Sequence, residues 1–375
     1  MEIIVASRNL IVDIAVAADV SGREHLVVMT KGTWQIPAPG ERARPIPAQA
    51  IEQTDIYVGD AGQSAMLYGS DIVRFKPRCD VLFNASAHSP HGEPVKELSV
   101  AWQVGPLRKG AKVHGERQWK KRLGMVSLTN AEPFTQMPLH FGKAFGGTRK
   151  FKEGWGANAK TLTEAHLVNP AGIGWFGSRT DEGYNGQPAP NLEALDDPVR
   201  HPNSKQKPVA FSAIARNWHP RPSYGGTYDE DWRKNVFPFL PEDFDDQFNQ
   251  CAPDDQQMPY PKGNEQVVLH NMVAGRSDVR FKLPKLDALN IRILRTDYST
   301  EELVAVADTL YFEPDQKRFS VVWRATVPIK KRIHEFSAVA VGSVSQKWWR
   351  DKSMGVDSCT DCVQAPGEDD LREIA

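Results

Sequence analysis

Proline and glycine are concentrated in one part of this chain, and their placement restricts the fold more than any other feature of the sequence. The stretch from 133 to 261 holds 15 of the 27 prolines and 12 of the 28 glycines, in about a third of the 375 residues. Proline lacks a backbone donor, and glycine weakens the interior of helices and strands, so both residues interrupt regular elements. We therefore expect the long regular elements to lie before 133 and after 261.

The first third of the chain alternates apolar and polar residues with the period of two that a half-buried strand requires. The alternation runs from Val73 to Val81 and again from Leu98 to Val104. Pro77 cannot donate to a β-ladder, which predicts an edge strand or a bulge at that position. These patterns favour antiparallel sheet.

The last third of the chain shows the same alternation. It is present from Val279 to Leu283, from Ile291 to Ile293 and from Phe319 to Val327. The segment Glu313-Pro314-Asp315-Gln316 has the composition of a hairpin connection. A second antiparallel sheet is therefore predicted here.

Signals for helix are short. Ser299 with Glu302 matches a capping box, which predicts one helical turn. The proline-rich middle shows helical character only from Asp229 to Val236 and from Glu242 to Gln250.

The predicted fold class is mainly β, with sandwich-like antiparallel sheets at both ends, an irregular Pro/Gly-rich middle and a few short helices. We divide the chain into a β-rich part at 1–128, a motif region at 129–265 that packs on the sheets, a second β-rich part at 266–354 and a loosely ordered tail at 355–375. All of these are expected to form one compact unit.

The composition is that of an ordinary soluble protein, with 40% hydrophobic and 25% charged residues and a net charge of −1. No stretch approaches the ~18 apolar residues of a membrane-spanning helix. The N-terminus lacks the basic start and apolar run of a secretory signal, and four cysteines are too sparse for a disulfide scaffold. We therefore expect a cytoplasmic protein with no membrane partner.

Two short motifs match patterns known for cofactor and metal chemistry. Residues 172 to 177 read Gly-Ile-Gly-Trp-Phe-Gly, the dinucleotide fingerprint, but no apolar strand precedes them, so we expect a glycine-rich aromatic loop and no cofactor. Cys359 and Cys362 have the spacing of half a zinc site or of a redox pair, without a second ligand pair nearby. Metal binding there stays open, and inert thiols in the tail are the alternative.

Opposite charges collect in two segments. From Asp229 to Asp255 nine acidic residues stand against Arg233 and Lys234, a net charge of −7, and from Leu107 to Arg122 seven basic residues stand against Glu116, a net charge of +6. The acidic segment could serve acid–base catalysis, but such runs more often cap helices or face solvent. The basic segment, beside Trp102 and Trp119, could form a nucleic-acid groove, which the balanced charge of the whole chain argues against. Opposed patches also suit docking to a charged protein partner or to each other.

A series of short segments, in this order, resembles a bacterial family of type VI secretion accessory proteins that was first defined as a domain of unknown function and is sometimes fused to pentapeptide repeats. The segments are Lys76-Pro77-Arg78-Cys79-Asp80 with Ala87-His88, Ala144-Phe145-Gly146-Gly147, Asn169-Pro170 with Gly172 and Gly174, Pro190-Asn191-Leu192-Glu193, Trp218-His219-Pro220-Arg221, Gly226-Thr227-Tyr228-Asp229 with Trp232, Leu240-Pro241 with Asp243-Phe244-Asp245, and Ala252-Pro253 with Asp255-Gln256. They span about half the chain. This sequence departs from the family pattern at Ala213, where a proline is usual, and in having no pentapeptide repeat after them.

The resemblance implies a non-catalytic cytoplasmic adaptor or chaperone. Such a protein would bind a toxic effector or a PAAR-type tip protein and help to load it onto the trimeric spike, without nucleic acid. The residues that the resemblance suggests for partner binding, or for structure, are Trp218, Arg221, Gly226, Thr227, Tyr228, Asp229, Trp232, Asp243, Phe244, Asp245, Asp255 and Gln256. The alternatives are a structural component of the secretion particle and an enzyme that uses the acids from Asp229 to Asp255.

Overall fold

The structure is a computed structural model that describes residues 1–154, 156, 159–177 and 183–356. Cys359 and Cys362 lie outside the described residues, as does all but the beginning of the tail that starts at 355.

Strands make up most of the regular structure, and the protein is mainly β, as predicted. The described strands are β1 (Glu2–Val5), β2 (Leu10–Ala18), β3 (Glu24–Gln35), β4 (Arg44–Ile46), β5 (Ile56–Tyr57), β6 (Met66–Tyr68), β7 (Cys79–Phe83), β8 (Ser86–His88), β9 (Glu97–Val104), β10 (Leu107–His114), β11 (Trp119–Arg122), β12 (Met125–Leu128), β13 (Gln136–Pro138), β14 (Phe145–Gly146), β15 (Thr148–Glu153), β16 (Lys160–Ala165), β17 (Ile173–Gly174), β18 (Leu192–Glu193), β19 (Gln257–Met258), β20 (Gln266–Val273), β21 (Arg276–Lys282), β22 (Asn290–Arg295), β23 (Thr300–Val304), β24 (Val306–Glu313), β25 (Arg318–Pro328) and β26 (Phe336–Val341).

The described helices are short. The α-helices are α1 (Glu230–Asn235) and α2 (Gln346–Ser353), and the 3-10 turns are Pro90–Gly92, Phe141–Lys143, Arg221–Tyr224, Asp246–Asn249, Asp254–Gln256, Pro314–Gln316 and Ile333–Glu335. No helix in the described part of the chain has the length and apolarity that crossing a membrane requires.

The largest sheet has seven strands in the order β19-β7-β24-β25-β3-β2, with β4 paired to β3. The adjacent strands β24 and β25 of the last third lie between strands of the first third, because β25 pairs antiparallel with β3 and β24 pairs parallel with β7. A five-stranded sheet, β18-β10-β9-β20-β21, mixes the two thirds in the same way. The chain ends therefore build their sheets together.

The two sheets pack face to face on aromatic side chains. Phe83 of β7 lies 4.9 Å from Trp102 of β9 between ring centroids, and Phe281 of β21 lies 5.4 Å from Phe319 of β25. These rings belong to one continuous buried core. A smaller four-stranded sheet, β1-β26-β22-β23, buries Trp348 and Trp349 of α2 in a core of its own.

Several predicted elements are confirmed. The alternating runs near 98, 279, 291 and 319 form β9, β21, β22 and β25, and Pro314–Gln316 turns the chain from β24 to β25. The helix predicted from Asp229 is α1. The segment from Glu242 to Gln250 forms only the 3-10 turn Asp246–Asn249.

Other predictions were wrong. The strand predicted from Val73 begins only at Cys79, because Lys76 does not face solvent as the alternation implied and instead binds Asp80 inside the protein, at 2.9 Å. No helical turn starts at Ser299: the Ser299 hydroxyl donates to Asp297, at 2.6 Å, in a hairpin turn, and β23 begins at the next residue. The irregular middle also contains a hairpin, β15 with β16, whose mostly exposed side chains carry little apolar pattern.

Candidate functional site

The residues suggested for partner binding separate into a buried group and an exposed group. Trp218 is completely buried and lies 6.2 Å from Phe141 in an edge-to-face contact. Gln256 is also buried, and its side-chain amide donates to the carbonyls of Val81 and Phe211 at 2.8 and 3.0 Å. These two side chains stabilise the core and are not available to a partner.

Arg221 belongs to the buried group as well. Its guanidinium donates to the carbonyl of Ile214 at 2.8 Å and to the carbonyl of Phe248 at 2.9 and 3.0 Å. The same group lies 5.5 Å from the centre of the Phe248 ring. Burial lowers the pKa of Arg221. Arg221 therefore links the segment that ends just before residue 226 to the segment that begins just after residue 245.

Between the two segments that Arg221 links, residues 226–245 form an exposed loop and a short helix. We call these residues the knuckle. Its base is closed by Asp243, which accepts from the backbone N–H of Thr227 at 2.8 Å and from its hydroxyl at 2.7 Å. Gly226 has a φ of +82°, and a Cβ there would lie 2.9 Å from the Cβ of Pro241. Only glycine fits this turn without strain.

Within the knuckle, Asp229 caps the short helix α1 by accepting from the backbone N–H of Trp232 at 2.9 Å. The indole of Trp232 donates to the carbonyl of Phe239 at 3.0 Å, and its ring contacts Tyr228 and Phe237 edge-to-face, at 4.7 and 5.6 Å. Trp232 thus organises an aromatic cluster.

Three aromatic side chains of the knuckle are largely exposed: 56% of Tyr228 and 65% of Phe237 in this cluster, and 51% of Phe239, whose ring lies beside Gly22. Phe237 and Phe239 were not among the candidates from the sequence. The sequence signal that could have identified them is the run Phe237-Pro238-Phe239 inside an acidic segment. Aromatic rings in a polar segment are either buried under a loop or exposed for binding.

The remaining acidic candidates stabilise local structure or pair with lysine. Asp245 accepts from the backbone N–H of Gln247 at 2.8 Å, and the ring of neighbouring Phe244 lies 5.8 Å from the Phe248 ring in a tilted contact. Asp255, outside the knuckle, binds Lys109 at 2.9 Å. Hydrogen bonds from Thr227 lower the pKa of Asp243, the opposite of what a general acid at neutral pH needs. Among the described residues, no three His, Cys, Asp or Glu side chains are grouped so as to hold a metal ion.

A buried polar cluster lies beneath the 3-10 turns that follow the knuckle. The ammonium of Lys76 binds Asp80 and, at 2.8 Å, the hydroxyl of Thr309, while Asp80 also accepts from the backbone N–H of Cys251 at 3.0 Å. Burial by itself lowers the pKa of Lys76, but the neighbouring acidic groups, Asp80 first and Asp308 with it, together outweigh burial and raise that pKa. Burial raises the pKa of Cys251 to about 12, which leaves its thiol unreactive. This cluster cross-links the sheet to the motif region.

The fingerprint-like loop and the two tryptophans of the basic segment pack against other parts of the protein. In the fingerprint-like loop, Gly172 packs against protein: a Cβ there would lie 2.4 Å from the Asn169 side chain. Trp102 and Trp119 are buried, so neither can stack on a nucleic-acid base. Three of the basic side chains near them are held in ion pairs, namely Lys109 with Asp255, Lys112 with Glu97, and Arg117 with Glu193.

Comparison with known proteins gives a family. No curated protein and no solved structure matches the chain. Residues 21–324, which include the knuckle and the buried cluster beneath it, match the model of a family described as an uncharacterized protein conserved in bacteria, DUF2169. Because the match covers most of the chain, the protein is a member of this bacterial family.

Proposed function

We propose that this protein is a cytoplasmic adaptor of type VI secretion, which binds a toxic effector or a PAAR-type tip protein and helps to load it onto the trimeric spike. The observation that supports this proposal is the knuckle, a preorganised segment on which the side chains of Tyr228, Phe237 and Phe239 are each largely exposed. The proposal includes no catalytic step, nucleic acid or membrane.

The exposed rings have the chemistry of binding anchors. Aromatic side chains are enriched among the residues that dominate interface energies. Covering the exposed half or so of one ring contributes about 1–1.5 kcal/mol, and three together would exceed the cost of ordering a few side chains.

The rigidity of the knuckle also favours binding of a partner. The Thr227–Asp243 bonds, the Asp229 cap and the Trp232 bond to Phe239 hold the rings in place before any partner arrives. A preorganised surface loses little conformational entropy on binding, so more of the contact energy appears as affinity.

The charge around the rings indicates what the partner surface is like. Residues 226–245 contain six acidic side chains and two basic ones, a net charge of −4. Long-range attraction would favour a partner whose docking surface is apolar at its centre and basic at its rim.

The test is co-purification of the tagged protein from a bacterium that expresses it natively, with mass spectrometry of what is bound. We expect an effector or a PAAR-type protein. The double variant Tyr228→Ser/Phe237→Ser should weaken that binding at least tenfold, because it removes about 2 kcal/mol or more of anchor contact. The matched control is Tyr298→Ser, since Tyr298 is 64% exposed on a different hairpin turn.

Three results would contradict the proposal. Equal binding by the knuckle variant and the Tyr298 control would exclude the knuckle as the docking surface. Recovery of the protein in assembled particles irrespective of the effector would favour a structural component. Turnover of a substrate that is lost on Asp243→Ala or Asp229→Ala would favour an enzyme.

A further inference from the structure

A second exposed apolar feature lies on the hairpin of β11 and β12, which contains the end of the basic segment. Its two-residue turn is Leu123-Gly124, with φ of +49° and +80°. Leu123 is 91% exposed and Met125 is 67% exposed. This hairpin, residues 119–128, is called the basic hairpin below.

Leucine is an unexpected residue at this position. Turns with two positive φ angles prefer Asn-Gly or Asp-Gly, because a branched side chain is strained in the left-handed region. Leu123 is strained there and also exposes an apolar side chain to water. Neither its backbone conformation nor its packing within one copy of the chain accounts for it.

The charge of the basic hairpin is also unbalanced. Lys120, Lys121 and Arg122 have no acidic partner among the described residues, and residues 119–128 contain no acidic side chain, which gives a net charge of +3. The base of the hairpin is firmly held, since Trp119 is buried and its indole donates to the carbonyl of Gly174 at 2.9 Å. The cations and the leucine are therefore presented by an anchored ribbon.

The same chain carries a surface of complementary character. The knuckle has a net charge of −4 and exposes aromatic rings, and the basic hairpin has a net charge of +3 and exposes aliphatic side chains. We propose that the basic hairpin of one copy docks on the knuckle of a second copy, with Leu123 and Met125 against the exposed rings and the three cations against the acidic rim.

Other occupants fit the basic hairpin less well. A nucleic acid would need an aromatic ring on which to stack, and the one aromatic residue of this ribbon, Trp119, is buried. An anionic lipid surface would attract the cations and accept Leu123, but it would leave the acidic knuckle uncovered. A second copy satisfies both surfaces.

The geometry of such a contact predicts how it behaves. Two different surfaces meet, so the association is head-to-tail and can continue into rings or chains. Each surface offers only a few residues, whereas a standard interface takes about 20–30 residues from each partner, so the contact is expected to be weak and reversible. Its charges are exposed, so it weakens with added salt. A protein bound at the knuckle would displace the second copy.

The experiment is sedimentation velocity of the full chain over a range of concentrations, at about 0.05 M and about 0.5 M salt. We expect association that grows with concentration at low salt and is at least tenfold weaker at high salt. Leu123→Asn should abolish it without lowering the thermal midpoint, because asparagine tolerates this backbone conformation better. Leu167→Asn is the matched control, since Leu167 is also exposed, at 69%, and lies outside both surfaces.

A charge exchange tests the pairing itself. Lys121→Glu and Asp231→Lys should each weaken association, and the variant that carries both should regain it. A chain that stays monomeric at every concentration and salt would overturn the proposal, as would a failure of the double variant to recover. Binding to phosphatidylserine vesicles that is lost on Leu123→Asn, with the protein monomeric, would identify lipid as the occupant. None of these outcomes depends on finding an effector, so they are distinct from those of the adaptor test.

Discussion

Replacing Arg221 by methionine tests whether the base of the knuckle is held by a buried guanidinium. Arg221 is 3% exposed, and among the described residues no carboxylate forms an ion pair with it. Its donors satisfy two backbone carbonyls, those of Ile214 and Phe248. Methionine preserves the apolar stem of the side chain and removes every one of those donors.

The expected size of the effect follows from these contacts. Each buried carbonyl left without a donor costs about 1–3 kcal/mol. Removing a buried charge that lacks an ionic partner offsets part of this. The free energy of unfolding of Arg221→Met should therefore be lower by about 2–4 kcal/mol. Because Phe248 follows the knuckle and Arg221 precedes it, the knuckle should also loosen.

The measurement is urea unfolding followed by tryptophan fluorescence, with limited proteolysis to report cleavage within 226–245. The control is Arg233→Met, which removes a largely exposed ion pair with Glu230 and should cost less than about 0.5 kcal/mol. If the two variants unfold at the same urea concentration, the buried guanidinium does not hold the knuckle, and the reasoning is wrong.

Two further predictions concern buried charges. Asp80→Asn should lower the free energy of unfolding by about 3–5 kcal/mol, because it leaves the Lys76 ammonium buried without its counter-charge. Adding Lys76→Met should restore part of the loss. A double variant no more stable than Asp80→Asn would contradict this prediction. Burial raises the pKa of Glu193, but bonds from His114 and Arg117 outweigh it and lower that pKa below its usual value of 4.5. The ionised Glu193 therefore stabilises the fold above pH about 4.5, and this contribution is lost as the pH falls further, so Glu193→Gln should reduce the acid sensitivity measured by unfolding at a series of pH values.

The strands were largely predictable because their signal is local. Alternation over three to nine residues identified β9, β21, β22 and β25. It failed near Val73, where Lys76 points into the protein to meet Asp80 and Thr309. A buried lysine looks in sequence like an exposed one, since only its distant partners make burial possible.

The candidate site was predictable only where its contacts are local in sequence. The Asp229 cap on α1 is a contact between residues three apart, and a motif can carry it. The sequence could not distinguish the buried role of Trp218 from the exposed role of Trp232. Both are tryptophans in family-like segments, yet one is in the core and the other organises an exposed cluster.

By itself the sequence determined that the protein is mainly β, that its middle is irregular and that opposite charges collect in two segments, because strand period, proline and glycine placement and charge are properties of neighbouring residues. Only the tertiary structure decided that strands from both ends share their sheets, that Arg221 and Gln256 are buried, and that Tyr228, Phe237, Phe239 and Leu123 are exposed. Burial depends on which distant segments pack over a side chain. The surfaces proposed here for binding are therefore defined by contacts between residues far apart in the chain.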